Sequence, residues 1–185
     1  MPDFHAQRSG ATAHRFAPAA PDEDTVYGAC CPGWHSAASH EDSLADWVEF
    51  MRHNDVERVC CLLPGRQLAG SQSNIARYRA VFGDDGVCHA PTPDHHLVDE
   101  PLLADRILPF LDAAVAADER VVVHCLAGLG RTGQVLAAWL AHDREMGPDR
   151  AVATVEEMGR HPRDAVNAGN ATEDDLRALD RKSVV

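Results

Sequence analysis

The sequence holds a single lysine, Lys182, among 185 residues, whereas arginine appears sixteen times. No apolar run approaches the roughly 18 residues of a membrane-spanning helix, which excludes a chain built around such a span. The first residues, MPDFHAQRSGATAHRF, have no apolar core, so no secretory leader is expected. The six cysteines, at 30, 31, 60, 61, 88 and 125, form no CxxC pair, and no Cys/His spacing fits a zinc site. Vicinal pairs such as Cys30-Cys31 and Cys60-Cys61 make poor structural disulfides. Reduced thiols in a cytoplasm are therefore expected. Basic charge is scarce too: 17 Lys and Arg face 29 Asp and Glu, a net charge of -12. Such an excess of acid repels phosphate backbones and argues against nonspecific nucleic-acid binding.

What is present is the material of a folded domain. Hydrophobic residues make up 45% and charged residues 25%, which excludes a wholly disordered chain. The length suits one domain. Residues 1–22, rich in Ala, Pro and polar groups, read as a loosely ordered lead-in, and residues 23–185 as the domain itself.

Alternating patterns then run along the chain. Thr25 to Cys30 reads as a short strand closed by Pro32-Gly33. Leu44, Trp47, Val48 and Met51 recur at helical spacing within 41–54. Val56 to Leu63 is a near-continuous apolar run, as in a strand buried on both faces. A weaker helix is expected over Ser71–Phe82 and a short strand over Gly86–Ala90. The prolines of the segment from Pro91 to Pro101 forbid regular structure, so it reads as a loop. A helix over 101–117 follows, then a third buried strand, Arg120–His124, a Gly-rich turn and a helix over 131–145. The C-terminal region reads as helical, broken near Pro162 and Asn167-Ala-Gly-Asn170. Strands alternating with helices predict an α/β sandwich with a mainly parallel sheet. The working crevice of such a sheet lies beyond the C-terminal ends of its strands.

The turn at that place reads His124-Cys125-Leu126-Ala127-Gly128-Leu129-Gly130-Arg131-Thr132-Gly133. Its glycines permit the backbone angles that turn successive amides inward. Inward amides and a helix N-terminus make an anion-binding nest. Arg131 adds a planar fork that takes two phosphate oxygens at once. The same field favours the ionised form of Cys125, an in-line nucleophile beneath a bound phosphate. Thr132 is placed to donate its hydroxyl to that sulfur, and His124 to orient the turn through its ring nitrogens.

The pattern His-Cys-x-x-Gly-x-x-Arg-Thr resembles the signature of the cysteine-dependent protein tyrosine and dual-specificity phosphatases at every defined position. The order of elements over about 25–180 is similar to the compact dual-specificity type. The resemblance implies a single-domain phosphatase with Cys125 as nucleophile, phosphate held by Arg131 and the amides of Leu126, Ala127, Gly128, Leu129 and Gly130, and His124 and Thr132 in support. It implies no cofactor and no metal, because arginine and amides do the charge work. It also implies a general acid, an Asp on a mobile loop about thirty residues before the cysteine. Asp94, in Pro91-Thr-Pro-Asp94, stands at that place, with Asp99 as the rival. Many relatives carry a late Gln that positions the hydrolytic water; here Asn167 or Asn170 would have to substitute, and both also fit helix-cap and turn roles.

Bland readings stand beside these. His95 and His96 fit either a steering role at the phosphate entry or solvated loop positions. Cys61 or Cys88 would serve either as a resolving thiol or as strand packing. Trp47 and Trp139 fall on apolar stripes, and Trp34 is unassigned. The expected activity is metal-independent phosphomonoester hydrolysis through a phosphocysteine intermediate. The uncharged variable positions Leu126, Ala127, Leu129 and Gly130 favour a phosphoprotein substrate over a polyanion, phosphotyrosine first and phosphoserine or phosphothreonine after it. A phospho-residue binding module and a rhodanese-like sulfurtransferase are the rival classes. Neither a nucleic acid nor a membrane is an expected partner. Finally, high Asp with almost no Lys resembles proteins of salt-loving archaea, and it implies stability that rises with salt as self-repulsion is screened.

Overall fold

The computed structural model describes residues 12–68 and 73–182. A 3₁₀ turn, Ala13–Arg15, leads into β1 (Ala17–Pro18) and β2 (Val26–Ala29). Helix α1 (His40–His53) and strand β3 (Val56–Cys61) follow, then a second 3₁₀ turn, Gly65–Leu68, α2 (Ser73–Phe82) and β4 (Val87–His89). After the proline-rich loop come α3 (Glu100–Leu102), a π-helical turn Leu103–Ile107, and α4 (Leu108–Ala117). Strand β5 (Arg120–His124) feeds α5 (Gly130–Arg144), and α6 (Pro148–Glu157), α7 (Asp164–Asn167) and α8 (Glu173–Lys182) complete the described chain.

The five strands form one sheet in the order β1-β2-β5-β3-β4. Among the described residues only the β1–β2 pair is antiparallel; the β2–β5, β5–β3 and β3–β4 pairs are parallel. The mainly parallel sandwich read from the sequence is the observed architecture. The apolar strand runs explain it, since a central strand such as β5 buries both faces. Val121 and Val123 join one core with α4, α5, α6 and α8, while Val122 joins the other with α1 and α2. Trp47 and Trp139 are fully buried, as their stripes imply, and Trp34 packs against the α1–α2 core. Ser39 caps α1 by accepting the Asp42 amide at 3.1 Å, which starts the helix one residue before its expected bound. No helix among the described residues is long and apolar enough to cross a membrane.

Two features differ from the sequence reading. The helix expected over 101–117 is interrupted by the π turn at Leu103–Ile107. Pro109 accounts for it: the ring has no N–H to donate and would collide with the carbonyl four residues back, and one widened turn makes room. The lead-in also differs from the described residue 12 onward. Ala17 and Pro18 pair with Gly28 and Tyr27. Ala19 and Ala20 are buried. Arg144, at the end of α5, pairs with Asp22 at 2.6 Å and Glu23 at 2.9 Å. The remainder of the expected lead-in, residues 1–11, lies outside the described residues.

Helix α8 carries an unusual core group. Asp180 is fully buried, and neither carboxylate oxygen has a hydrogen-bond partner among the described residues. Burial alone pushes its carboxyl up to about 8, against an ordinary 3.8. The folded form therefore holds a proton between about pH 4 and pH 8 that the unfolded chain has released. Stability falls as pH rises through that window. Asp180→Asn is expected to flatten this slope. Its melting temperature should match the wild type near pH 4 and exceed it by several degrees at pH 9. Parallel slopes for the two proteins from pH 5 to 9 would show that the carboxyl does not titrate as described.

Candidate active site

Strand β5 lies between β2 and β3, with His124 in register with Ala29 and Cys61. The chain leaves the sheet at Cys125 and re-enters regular structure at Gly130, the first residue of α5. What shapes the intervening loop is visible in its carbonyls. That of His124 accepts from the Leu62 amide at 2.9 Å, and that of Leu126 from the Cys31 amide at 2.9 Å. The Cys125 carbonyl accepts from His124 Nδ1 at 3.0 Å. The Ala127 carbonyl accepts from Arg15 Nη1 at 2.8 Å, and the Gly128 carbonyl from Arg160 Nη1 at 2.6 Å. The Leu129 carbonyl accepts from the Gly133 and His161 amides at 3.1 and 3.0 Å. The described peptide bonds are trans. In a trans peptide the N–H points opposite to the C=O before it. With the carbonyls of 125–129 tethered to the surrounding protein, the amides of 126–130 face away from those tethers, at the N-terminus of α5.

Gly128 is required by this path. Its φ is +74°, and a Cβ there would stand 2.5 Å from the backbone oxygen of Ala29. Both the left-handed angle and the close approach to β2 need glycine.

His124 holds the base of the loop. With Nδ1 donating to the Cys125 carbonyl, Nε2 is left to accept from the Tyr78 hydroxyl at 3.1 Å. Burial lowers its pKa to about 4, so the ring is neutral, as this arrangement requires. Trp47 and Tyr78 pack on it edge-on, and Trp47 Nε1 donates to the Cys30 carbonyl at 2.9 Å. The two helices on that face of the sheet therefore fix the strand-to-loop junction.

Cys125 is buried, and the Thr132 hydroxyl donates to its sulfur at 3.2 Å. Arg131 is also buried. Nη1 donates to Gln67 Oε1 at 2.8 Å and to the Thr92 carbonyl at 2.9 Å. Nη2 lies 3.0 Å from Asp94 Oδ1. Gln67 Nε2 donates to the other Asp94 oxygen at 3.1 Å. The structure thus brings Cys125, Arg131, Thr132 and Asp94 to one opening. Asp99 precedes α3, and the ion pair of Arg131 among the described residues is with Asp94.

The proline-rich loop is pinned from behind. Gln134 accepts from the Val98 amide at 3.0 Å and donates to the His96 carbonyl at 3.2 Å. His96 Nδ1 donates to the Asp94 carbonyl at 2.7 Å. His95 lies 2.7 Å from Asp164 Oδ2, and Asn170 Nδ2 donates to the His95 carbonyl at 2.7 Å. The Asp164 hydrogen bond, then the Asp94 charge, raise the His95 pKa. Of the two late amides, Asn170 therefore reaches the acid loop, while Asn167 is exposed on α7. Asp94, His95 and Asp164 each offer a ligand atom within 4.8 Å of one another. Their carboxylate oxygens already accept from Arg131, Gln67 and the His95 ring.

The other cysteines pack in the core. Cys60 and Cys88 stand opposite each other across β3 and β4, their thiols hydrogen-bonded. Burial pushes the thiols of Cys31 and Cys61 up to about 12. Gln67, Tyr78, Gln134, Arg15 and Arg160 were not legible as site residues. Arg15 and Arg160 reach the loop carbonyls, Gln67 reaches Arg131 and Asp94, Tyr78 reaches His124 and Gln134 the proline-rich loop, each by tertiary contact without a local pattern.

A family model described as Tc-R-P, polymorphic toxin system, DSP-PTPase phosphatase, matches residues 36–145, which contain Asp94 and the whole loop from Cys125 to Arg131. The chain belongs to this family. Over 75 residues it is 33% identical to the dual specificity protein phosphatase Mpk3 of Drosophila melanogaster, a match covering 40% of this chain and 18% of that protein. Solved phosphatases share the fold of this DSP-PTPase family member. Tk-PTP in its active form superposes with a TM-score of 0.61 at 22% identity, covering 86% of this chain and 91% of that one. PTPMT1 in complex with PI(5)P gives 0.68 at 13% identity, covering 91% and 96%. A Cys-to-Ser variant of TpbA from P. aeruginosa, in complex with phosphotyrosine, gives 0.55 at 20% identity, covering 88% and 86%.

Proposed function

We propose that this protein hydrolyses phosphomonoesters on proteins, phosphotyrosine first, through a phosphocysteine intermediate on Cys125. The observation that carries this reading is the Thr132 hydroxyl on the Cys125 sulfur at 3.2 Å, at the base of a loop whose amides turn toward the same opening as Arg131. A phosphoryl group there has its nonbridging oxygens on the amides of 126–130 and on the Arg131 fork. The Cys125 sulfur attacks phosphorus from below while the ester P–O bond breaks. Asp94 gives its proton to the leaving oxygen, a poor leaving group unless protonated. In the second step Asp94, now a carboxylate, takes a proton from water. The water oxygen attacks phosphorus, the P–S bond breaks, and inorganic phosphate leaves. The electron pair returns to sulfur, where the Thr132 hydroxyl stabilises the thiolate. Asn170, which holds the acid loop, is the nearer of the two amides to a water-positioning role.

Leu126, Ala127, Leu129 and Gly130 add no charge to the opening, and the chain carries -12 overall. Both disfavour polyanionic substrates and support a phosphoprotein. A phenol leaves more readily than an alkyl alcohol, so phosphotyrosine peptides are expected to turn over faster than phosphoserine peptides.

The test is turnover of an aryl phosphate in EDTA, followed by acid quenching and mass analysis of the peptide holding Cys125. A phosphoryl adduct on that cysteine is the expected result. Turnover without the adduct would overturn the phosphocysteine route. A wild type that binds phosphotyrosine without turnover would be a binding module, and persulfide formed from thiosulfate would mark a sulfurtransferase.

A further inference from the structure

We propose that Arg15 and Arg160, both outside the family-matched residues 36–145, are positioning residues that hold the phosphate-binding loop in its anion-accepting shape. The inference rests on the phosphatase reading and adds the device that aims its amides.

Of the loop carbonyls of 125–129, three are held by main-chain amides or by His124. The other two, Ala127 and Gly128, are held by Arg15 and Arg160, at 2.8 and 2.6 Å. Those two carbonyls precede the amides of Gly128 and Leu129, at the crown of the nest. A loop free to flip either peptide would present a carbonyl oxygen to the anion in place of an N–H. The arginines oppose that flip because each would lose a charge-assisted hydrogen bond.

Arg160 is an expensive residue to keep for structure alone. It is 2% exposed, and no carboxylate lies within ion-pair distance of it among the described residues. Burial lowers its pKa to about 10, which leaves it cationic at neutral pH, and the Cys125 and Cys30 thiols are the nearby groups that favour its charge. Nη2 donates to main-chain carbonyls, those of Gly28 at 2.9 Å, Arg15 at 2.9 Å and Ala17 at 3.3 Å, while Nε is buried without a hydrogen-bond partner among the described residues. An uncompensated buried cation is costly. Here it stands behind a loop built to hold a dianion, and a fixed cation favours an anion in front of it. The two arginines are also coupled in series. Arg160 holds the Arg15 carbonyl, and the Arg15 side chain holds Ala127. The segment Thr12–Pro18 is thereby the back wall of the site. Gly28, beneath it, has no room for a side chain: a Cβ would meet the Arg160 guanidinium carbon at 3.0 Å.

The test is calorimetric titration with inorganic tungstate, a phosphate analogue that needs no turnover, alongside amide hydrogen exchange of 126–130. Wild type is expected to bind and Arg131→Met to fail. Arg15→Met, which keeps the stem and loses the donor, is expected to weaken tungstate roughly fivefold and to speed exchange at Gly128. Arg15→Lys, which keeps a donor and the charge, is expected to recover most of the affinity. Arg160→Met is expected to lose tenfold or more; should it not fold, the Arg15 pair decides. Arg15→Met binding tungstate like wild type, with unchanged exchange, would overturn the inference. A wild type that does not bind tungstate would overturn the phosphatase reading itself, and the role of both arginines with it.

Discussion

Cys125→Ser is expected to lose aryl phosphate turnover by about 10⁴-fold or more while still binding tungstate. Thiolate and alkoxide differ in how readily they form at neutral pH. The Thr132 hydroxyl donates to this sulfur at 3.2 Å, at the N-terminus of α5. A serine hydroxyl in the same place keeps its proton. The loop amides and Arg131 are untouched by the change, so oxyanion affinity is expected to stay within a few-fold of wild type. Steady-state turnover and tungstate titration on the same preparation check both halves. Substantial turnover by the serine variant would remove Cys125 from the chemistry.

Asp94→Asn is expected to lower kcat by about 10² to 10⁴-fold on a phenyl-type ester, and far less on a nitrophenyl ester whose oxygen leaves unaided. The contrast between leaving groups is the diagnostic part. Asparagine keeps one oxygen for Arg131 and the His95 amide; its NH2 cannot accept from Gln67 Nε2, so that one contact is lost together with the proton. In the present arrangement the carboxylate rests on Arg131 at 3.0 Å and on Gln67 at 3.1 Å. An incoming phosphoryl group competes for that guanidinium and frees the carboxyl to meet the leaving oxygen. Asp99→Asn, at the N-cap of α3, is expected to retain near-normal kcat. A larger loss there than in Asp94→Asn would reverse the assignment.

How much of this was legible follows the range of the interactions. Strands β3 and β5 announce themselves as apolar runs because both faces are buried. The stripe Leu44, Trp47, Val48 and Met51 announces α1, and all four side chains are buried. The loop was legible as chemistry because cysteine, glycines and arginine crowd into one turn. Asp94 was legible through its spacing and the prolines around it. The rest is carried by contacts that leave no local trace. Gln67 lies 64 residues from the arginine it touches, and Arg160 lies 145 residues from the carbonyl of Arg15. The segment Thr12–Pro18 read as loose because alanine and proline carry no strand pattern; its order comes from Arg160 and from the edge of β2. Asp180 stands at helical spacing from Leu176, beside Leu179, on the buried stripe of α8, but an acid there reads as polar and the stripe is too short to announce a buried one.

The outer edges of the sheet are two and three residues long, β1 and β4. Proline occupies one of the two positions in β1, and proline cannot donate to a neighbouring strand. Long bare edges template the pairing of one chain with the next, and aggregates grow from there. This sheet offers neither side a ladder of useful length, so concentrated protein is guarded against stacking into extended β assemblies by geometry as well as by its surplus of negative charge.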